Sequence, residues 1–341
     1  MNIWLRNGFK QALLGLVWGM IALAGWWFSS PAKPSAESLS STRFSVSSDD
    51  EVFAPLPDPV SIPFDARRVA LGRLLFHDTR FSADNRVSCA SCHDLGTGGV
   101  DLRAHSVGVS GRIGVINSPT VYNSGFNFAQ FWDGRAATLE EQISGPITSP
   151  HEFGSDWPTV LSKLNADASL RAAFQQAYAD GLNARTVSHA IAEFERSLIT
   201  PSRFDRFLRG DTRALTPVEK RGYELFRSYG CMNCHQGMNI GGNLYQRLGV
   251  MRNYFAGRVS TPADQGRYNI TRHAGDMHVF KVPSLRNVAL TPPYFHDASI
   301  PTLDEAVMVM ARYQLGVELP QNDREALVAF LYSLNGEGLE R

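Results

Sequence analysis

"VSCASCHDLGTGG" (residues 87–99) holds Cys89, Cys92 and His93 in a C-x-x-C-H run, and "GCMNCHQGMNIGG" (residues 230–242) repeats it with Cys231, Cys234 and His235. No cysteine stands outside these two runs, so a disulfide framework is removed. A thioredoxin-like dithiol needs only C-x-x-C, and a zinc site needs its ligands to converge. A histidine directly after the second cysteine is instead the pattern for thioether attachment of haem. With the sulfurs fixed to the vinyl groups, the adjacent imidazole reaches the iron. Two such runs read as two c-type haems.

The stretches around the motifs repeat as well. "ALGRLLFHD" from Ala70 precedes the first motif and "KRGYELFRS" from Lys220 the second, matching Gly72 with Gly222 and Phe76 with Phe226. "SPTVYN" from Ser118 matches "VPSLRN" from Val282, and "FWDGRAATLEE" from Phe131 matches "FHDASIPTLDE" from Phe295 at the same offset. "AIAEFERSL" from Ala190 matches "ALVAFLYSL" from Ala326. Each half thus runs helix, haem loop, variable middle, closing helix, the order of a small cytochrome c domain. Helical signals agree. Thr216, Pro217 and Glu219 form a capping box with proline at the first helical position. Val187, Ile191, Phe194 and Leu198 recur at helical spacing, as do Leu327, Phe330, Leu331 and Leu334, with Gly336 placed to stop the last helix. The expected fold is mainly α, with two cytochrome-c-like domains in tandem over 51–205 and 206–341.

The chain has 341 residues, 43% of them hydrophobic, and equal numbers of basic and acidic side chains at 33 each. That balance, without a long basic run, excludes nucleic acid as an expected partner. Near the N-terminus Arg6 and Lys10 precede a 17-residue apolar run from Ala12 to Phe28. It reads as an export signal, cleaved after "Ala22-Leu23-Ala24" or retained as an anchor with Trp26 and Trp27 at the interface. Residues 1–28 are therefore taken as signal peptide or membrane anchor and 29–50 as a Ser/Pro-rich linker, with the folded part outside the cytoplasm. The expected location is the periplasm.

The two halves differ where their chemistry should differ. After "TLDEAV" the second half carries Met308 and Met310, whereas the repeat places Pro146 opposite Met310 in the first. A thioether can be the sixth ligand of a c-type haem; proline cannot. The second haem reads as closed and the first as open to a small oxidant. Nearby, Gln142 and Glu152 supply an amide that can orient a bound oxidant and a carboxylate that can move its proton.

From about Ala70 to Leu334, the chain resembles the bacterial dihaem cytochrome c peroxidases and the MauG-type dihaem enzymes. "CASCHDLGTGGVD", "NSPTVYNSGFNFAQFWDGRAATLEEQISGP", "GCMNCHQGMNIGGN" and "FKVPSLRNVALTPPYFHDASIPTLDEAV" carry the resemblance. It implies a peroxidatic haem on His93 and an electron-transfer haem on His235 and Met310. It also implies Glu152 as acid/base, Gln142 beside the distal pocket, and Trp132 as an electron relay between the haems. A calcium ion is implied on the Asn117 side chain and the Thr291 and Pro293 carbonyls, a hard-oxygen set. Family members often dimerise. Met308, Met277 and Met251 compete with Met310 as packing or ligand residues, while His296 reads as a structural histidine.

One departure bears on activation. In many of these peroxidases a loop histidine caps the resting peroxidatic iron; here Val109 stands at that position, and His105 lies four residues earlier. The simpler expectation is a first haem that is open without prior reduction. MauG-type enzymes also lack the capping histidine, yet carry tyrosine where Met310 stands. The leading expectation is hydrogen peroxide reduction with electrons from a small cytochrome c or a blue copper protein (cupredoxin). The alternatives are peroxide-dependent oxidation of tryptophan or tyrosine in a partner protein, and a non-enzymatic dihaem electron carrier.

Overall fold

A computed structural model of the protein describes residues 52–339, so the apolar run and linker of the first 50 residues lie outside the described residues. No helix among the described residues is long and apolar enough to cross a membrane. Among the described residues ten α-helices are connected by long loops: α1 Ala66–Phe76, α2 Leu139–Thr148, α3 Trp157–Asn165, α4 Ala168–Ala177, α5 Ala184–Ser197, α6 Arg203–Leu208, α7 Pro217–Ser228, α8 Tyr268–Thr271, α9 Leu303–Val309 and α10 Gln321–Tyr332. The described strands, β1 Tyr245–Arg247 and β2 Val279–Lys281, pair antiparallel with Tyr245 opposite Lys281.

Helix starts follow local side-chain chemistry. Asp65, Asp156, Asp167 and Asn183 each accept a hydrogen bond from a backbone N–H in the first turn of the helix that follows. Thr216 and Glu219 form the reciprocal capping box expected of α7, with Pro217 at its first position. Thr138 caps α2 as Thr302 caps α9. The last helix ends earlier than Gly336 suggests. Its final helical residue is Tyr332, and Leu334 continues beyond it as a fully buried side chain. Gly336 serves a close approach instead: a Cβ there would meet that of Thr200 at 2.3 Å.

The core has two main parts. In the first, Leu75 and Phe76 of α1 pack with Ile143 and Ile147 of α2 and with Val187, Ile191 and Phe194 of α5. In the second, Phe226 of α7 packs with Leu327 and Phe330 of α10 and with Phe204 of α6. The two ends of the described residues cross between them. Val52 and Phe53 pack into the second cluster, the Phe53 ring 6.0 Å from Phe204, whereas Leu339 packs against the first. The Phe53 segment is also tied down by Asp205, which accepts from Leu56 N at 2.7 Å and pairs with the fully buried Arg286 at the same distance.

The repeat is visible at atomic detail. A Cβ at Gly72 would lie 1.9 Å from the Ala190 carbonyl oxygen, and one at Gly222 would lie 1.9 Å from that of Ala326. Glycine at the matched positions lets α1 cross α5, and α7 cross α10, at backbone contact. Phe131 and Phe295 share a left-handed backbone, with φ 69° and 70°, as do Asn123 and Asn287 with φ 59° and 62°. Both asparagine amides donate to the Thr200 hydroxyl, at 2.8 and 2.9 Å. Because overpacking a fixed helix crossing is destabilising, Gly72→Ala and Gly222→Ala should each lower stability by about 3 kcal/mol, read as the denaturant midpoint of the haem-loaded protein.

Candidate functional site

A short 3₁₀ turn, Cys89–Ser91, carries the first motif, and His93 N donates to Cys89 O at 2.9 Å. The His93 ring follows by holding Nδ1 3.3 Å from Gly99 O. This ring lines a cavity of about 180 Å³ together with Cys89, Cys92, Gln142, Pro146, Glu152 and Glu195. All four cysteines are free. Burial raises their thiols where a shift is resolved, Cys92 to about 11, and lowers the His93 imidazole.

The second motif repeats the turn at Cys231–Asn233 and lines a larger cavity, about 270 Å³, with Cys231, Cys234 and His235 on its wall. Burial pulls His235 down to about 4, offset in part by the carbonyls of Ile240 and Pro283, so the imidazole is neutral at pH 7. Its Nδ1 is buried without a hydrogen-bond partner among the described residues. Met310 lines this cavity, at the point where α9 widens into a π turn, Met310–Leu315. None of the competing methionines does. Met308 Sδ lies 3.0 Å from Arg324 Nη1, Met251 is 61% exposed, and Met277 is half-buried outside the cavity. Free thiols beside a neutral imidazole on an apolar wall fit a covalently attached haem at each motif. They do not converge as a zinc site does. Among the described residues, the group of three candidate metal-binding side chains is Asp264, His296 and Asp297, away from both motifs in sequence.

The cavities share a wall. Asn117, Ser118, Pro119, Thr120 and Trp132 line both. Trp132 is half-buried and donates from Nε1 to Asn117 O at 2.9 Å, while its ring meets His296 edge-on at 6.2 Å. His296 is buried, with Nε2 2.7 Å from Asp264 Oδ1, and it lines the second cavity. Asn117, Thr291 and Pro293 all line the second cavity. The Thr291 and Pro293 carbonyls and the Asn117 Oδ1 accept no hydrogen bond among the described residues, leaving neutral oxygens free for a hard cation.

Neither His105 nor Val109 lines the first cavity. Val109 N instead donates to Glu152 O at 2.7 Å, so the loop clamps the segment that carries the carboxylate. Burial raises the Glu152 carboxyl, against opposing effects of a Ser149 hydrogen bond and the charges of Arg135 and His151. Three residues on the walls escape motif reading. His151 lines the first cavity with Nδ1 3.0 Å from Ile113 O. Glu195, 6% exposed, lines it too, and burial pushes its carboxyl up to about 8. Lys281 lines the second. The repeat held a signal for two of them, because Glu195 stands opposite Leu331 and Lys281 opposite Asn117.

The profile of the di-haem cytochrome c peroxidase family matches residues 66–213. Cytochrome c peroxidase of Escherichia coli is 49% identical over 307 residues, covering 89% of this chain but 65% of its own length. Cytochrome c551 peroxidase of Nitrosomonas europaea is 43% identical over 277 residues, 81% of this chain and 82% of that protein. Among solved structures, a MauG-like protein associated with microbial copper homeostasis superposes with a TM-score of 0.74 at 27% identity, covering 86% of this chain and 96% of its own.

The Glu195 environment predicts a pH effect on stability. Its carboxyl titrates near 8 when folded against an ordinary 4.5, so the stability present below pH 4.5 is lost as pH rises through 8. Glu195→Gln cannot ionise. Urea midpoints should therefore fall less for the variant than for the parent over that range, the difference at alkaline pH being at most about 5 kcal/mol.

Proposed function

This chain belongs to the di-haem cytochrome c peroxidase family of haem-dependent oxidoreductases, and on that premise we propose that it reduces hydrogen peroxide to water with electrons from a small cytochrome c or a blue copper protein. The observation that carries the reading is the contrast at one repeat-related position: Pro146 lines the first cavity and Met310 the second. Cys89, Cys92 and His93 would hold one haem; Cys231, Cys234, His235 and Met310 would hold the other. When bound, the haems supply redox-active iron that stores electrons and is the place where the O–O bond of peroxide breaks.

The protein's own groups supply the rest. Glu152 moves a proton from the inner peroxide oxygen to the outer one, which leaves as water. Its raised carboxyl suits both halves of that transfer, because a carboxyl titrating closer to neutrality gives up and regains a proton more evenly. Gln142, on the same cavity wall, orients the oxidant by its amide. Trp132, common to both walls, carries electrons from the second site to the first. Two electrons and two protons then convert each peroxide to two waters. Absence of His105 and Val109 from the first cavity supports a site that is open before any reduction.

The finer assignments form part of the same proposal. The first haem domain is 51–205 and the second 206–341, exported to the periplasm behind the N-terminal segment. Calcium is held by Asn117, Thr291 and Pro293 beside the shared wall. Glu152→Gln is the test of the acid/base role: kcat should fall by about 10²–10⁴-fold while the optical spectra of both haems stay unchanged. A variant that turns over normally contradicts the role.

A further inference from the structure

The two cavities differ in charge. The first is lined by the carboxyls of Glu152 and Glu195 together with Arg135, whose guanidinium pairs with Asp133 at 3.0 Å. The second has no aspartate or glutamate among its lining residues, yet it carries Arg247, Lys281 and Arg286. Arg286 is fully engaged, by Asp205 at 2.7 Å and the Met238 carbonyl at 2.8 Å. Arg247 reaches solvent and the Gly275 carbonyl. Lys281 differs from both. It is 7% exposed, and its ammonium has no hydrogen bond or ion pair among the described residues.

A buried ammonium without an anion is unfavourable, and burial alone pulls Lys281 down to about 8. Its position is nonetheless fixed. Lys281 N donates to Trp132 O at 2.8 Å, and the residue closes the β1–β2 pair opposite Tyr245. The matching position of the first half is the neutral Asn117, so the charge is peculiar to the second cavity. A c-type haem carries two propionate carboxylates, the anions that this wall lacks.

We propose that Lys281 is the counter-ion of the haem in the second cavity, its ammonium receiving one of the propionate carboxylates on the wall that Trp132 also lines. This rests on the reading of a haem at Cys231, Cys234 and His235. Its consequence is electrostatic: a positive charge beside the haem disfavours the extra positive charge of the oxidised iron and holds the potential up.

The test is a potentiometric titration of the haem-loaded full chain, followed optically at the second haem, for the parent, Lys281→Met and Lys281→Arg. At fixed solution potential, the ratio of reduced to oxidised second haem should fall on the order of tenfold in Lys281→Met, 59 mV for one electron. Lys281→Arg, which keeps the charge, should retain the parental ratio. The propionate bending band in the resonance Raman spectrum should shift in the Met variant alone. If Lys281→Met does not accumulate, Lys281→Gln carries the same expectation. A neutral variant with two haems per chain and an unchanged ratio overturns the role of Lys281 only. One haem per parental chain, by pyridine haemochrome assay, overturns the two-haem reading and this proposal with it.

Discussion

Two backbone hydrogen bonds hold the functional part of the molecule together: Lys281 N to Trp132 O and Asn117 N to His296 O, both 2.8 Å. They are related by the internal repeat, in which Asn117 matches Lys281 and Trp132 matches His296. Each half therefore grips the other with the same pair of positions. Asn117 and Trp132 belong to the wall shared by the two cavities, and Lys281 and His296 line the second. The two ends of the described residues reinforce the arrangement, since Phe53 joins the second core and Leu339 the first.

On this nearly symmetric frame, function comes from the positions where symmetry breaks. Pro146 lines the first cavity and Met310, at the matching position, the second. Glu195 against Leu331 and Lys281 against Asn117 set the charge of the walls. Trp132 against His296 places an indole at the shared wall and a histidine–aspartate pair behind it, with Asp264 2.7 Å from the His296 ring. The side chains that must remain alike are those of the crossings: Gly72 with Gly222 and Phe194 with Phe330. Packing tolerates little there, whereas a cavity wall accepts any residue that its contents can solvate.

Much of this was legible in the residues. The C-x-x-C-H spacing, the repeat and the Thr216 capping box each encode a local constraint, so they survive without tertiary context. The repeat singled out Met310 from Met308, and Met310 is the one of the two that lines the second cavity. The end of α10 was not legible at Gly336, because that glycine answers a close approach by Thr200, a contact distant in sequence. Glu195 and Lys281 were hidden for a related reason: a charged residue in a helix or strand pattern reads as a solvated face until burial is known. The crossing of residues 52–56 to the second core was likewise invisible, since Phe53 acquires its neighbours only in three dimensions.

An open site in the first cavity beside a closed one in the second is what the proposed function requires, and the electronic spin state of the iron measures it directly. Electron paramagnetic resonance of the fully oxidised, haem-loaded protein should show one high-spin ferric signal beside one low-spin signal. The high-spin signal should disappear on addition of peroxide without any reductant. Two low-spin signals with no response to peroxide would contradict the account, meaning that a side chain, with His151 on the cavity wall the first to substitute, closes the site that Pro146 leaves open.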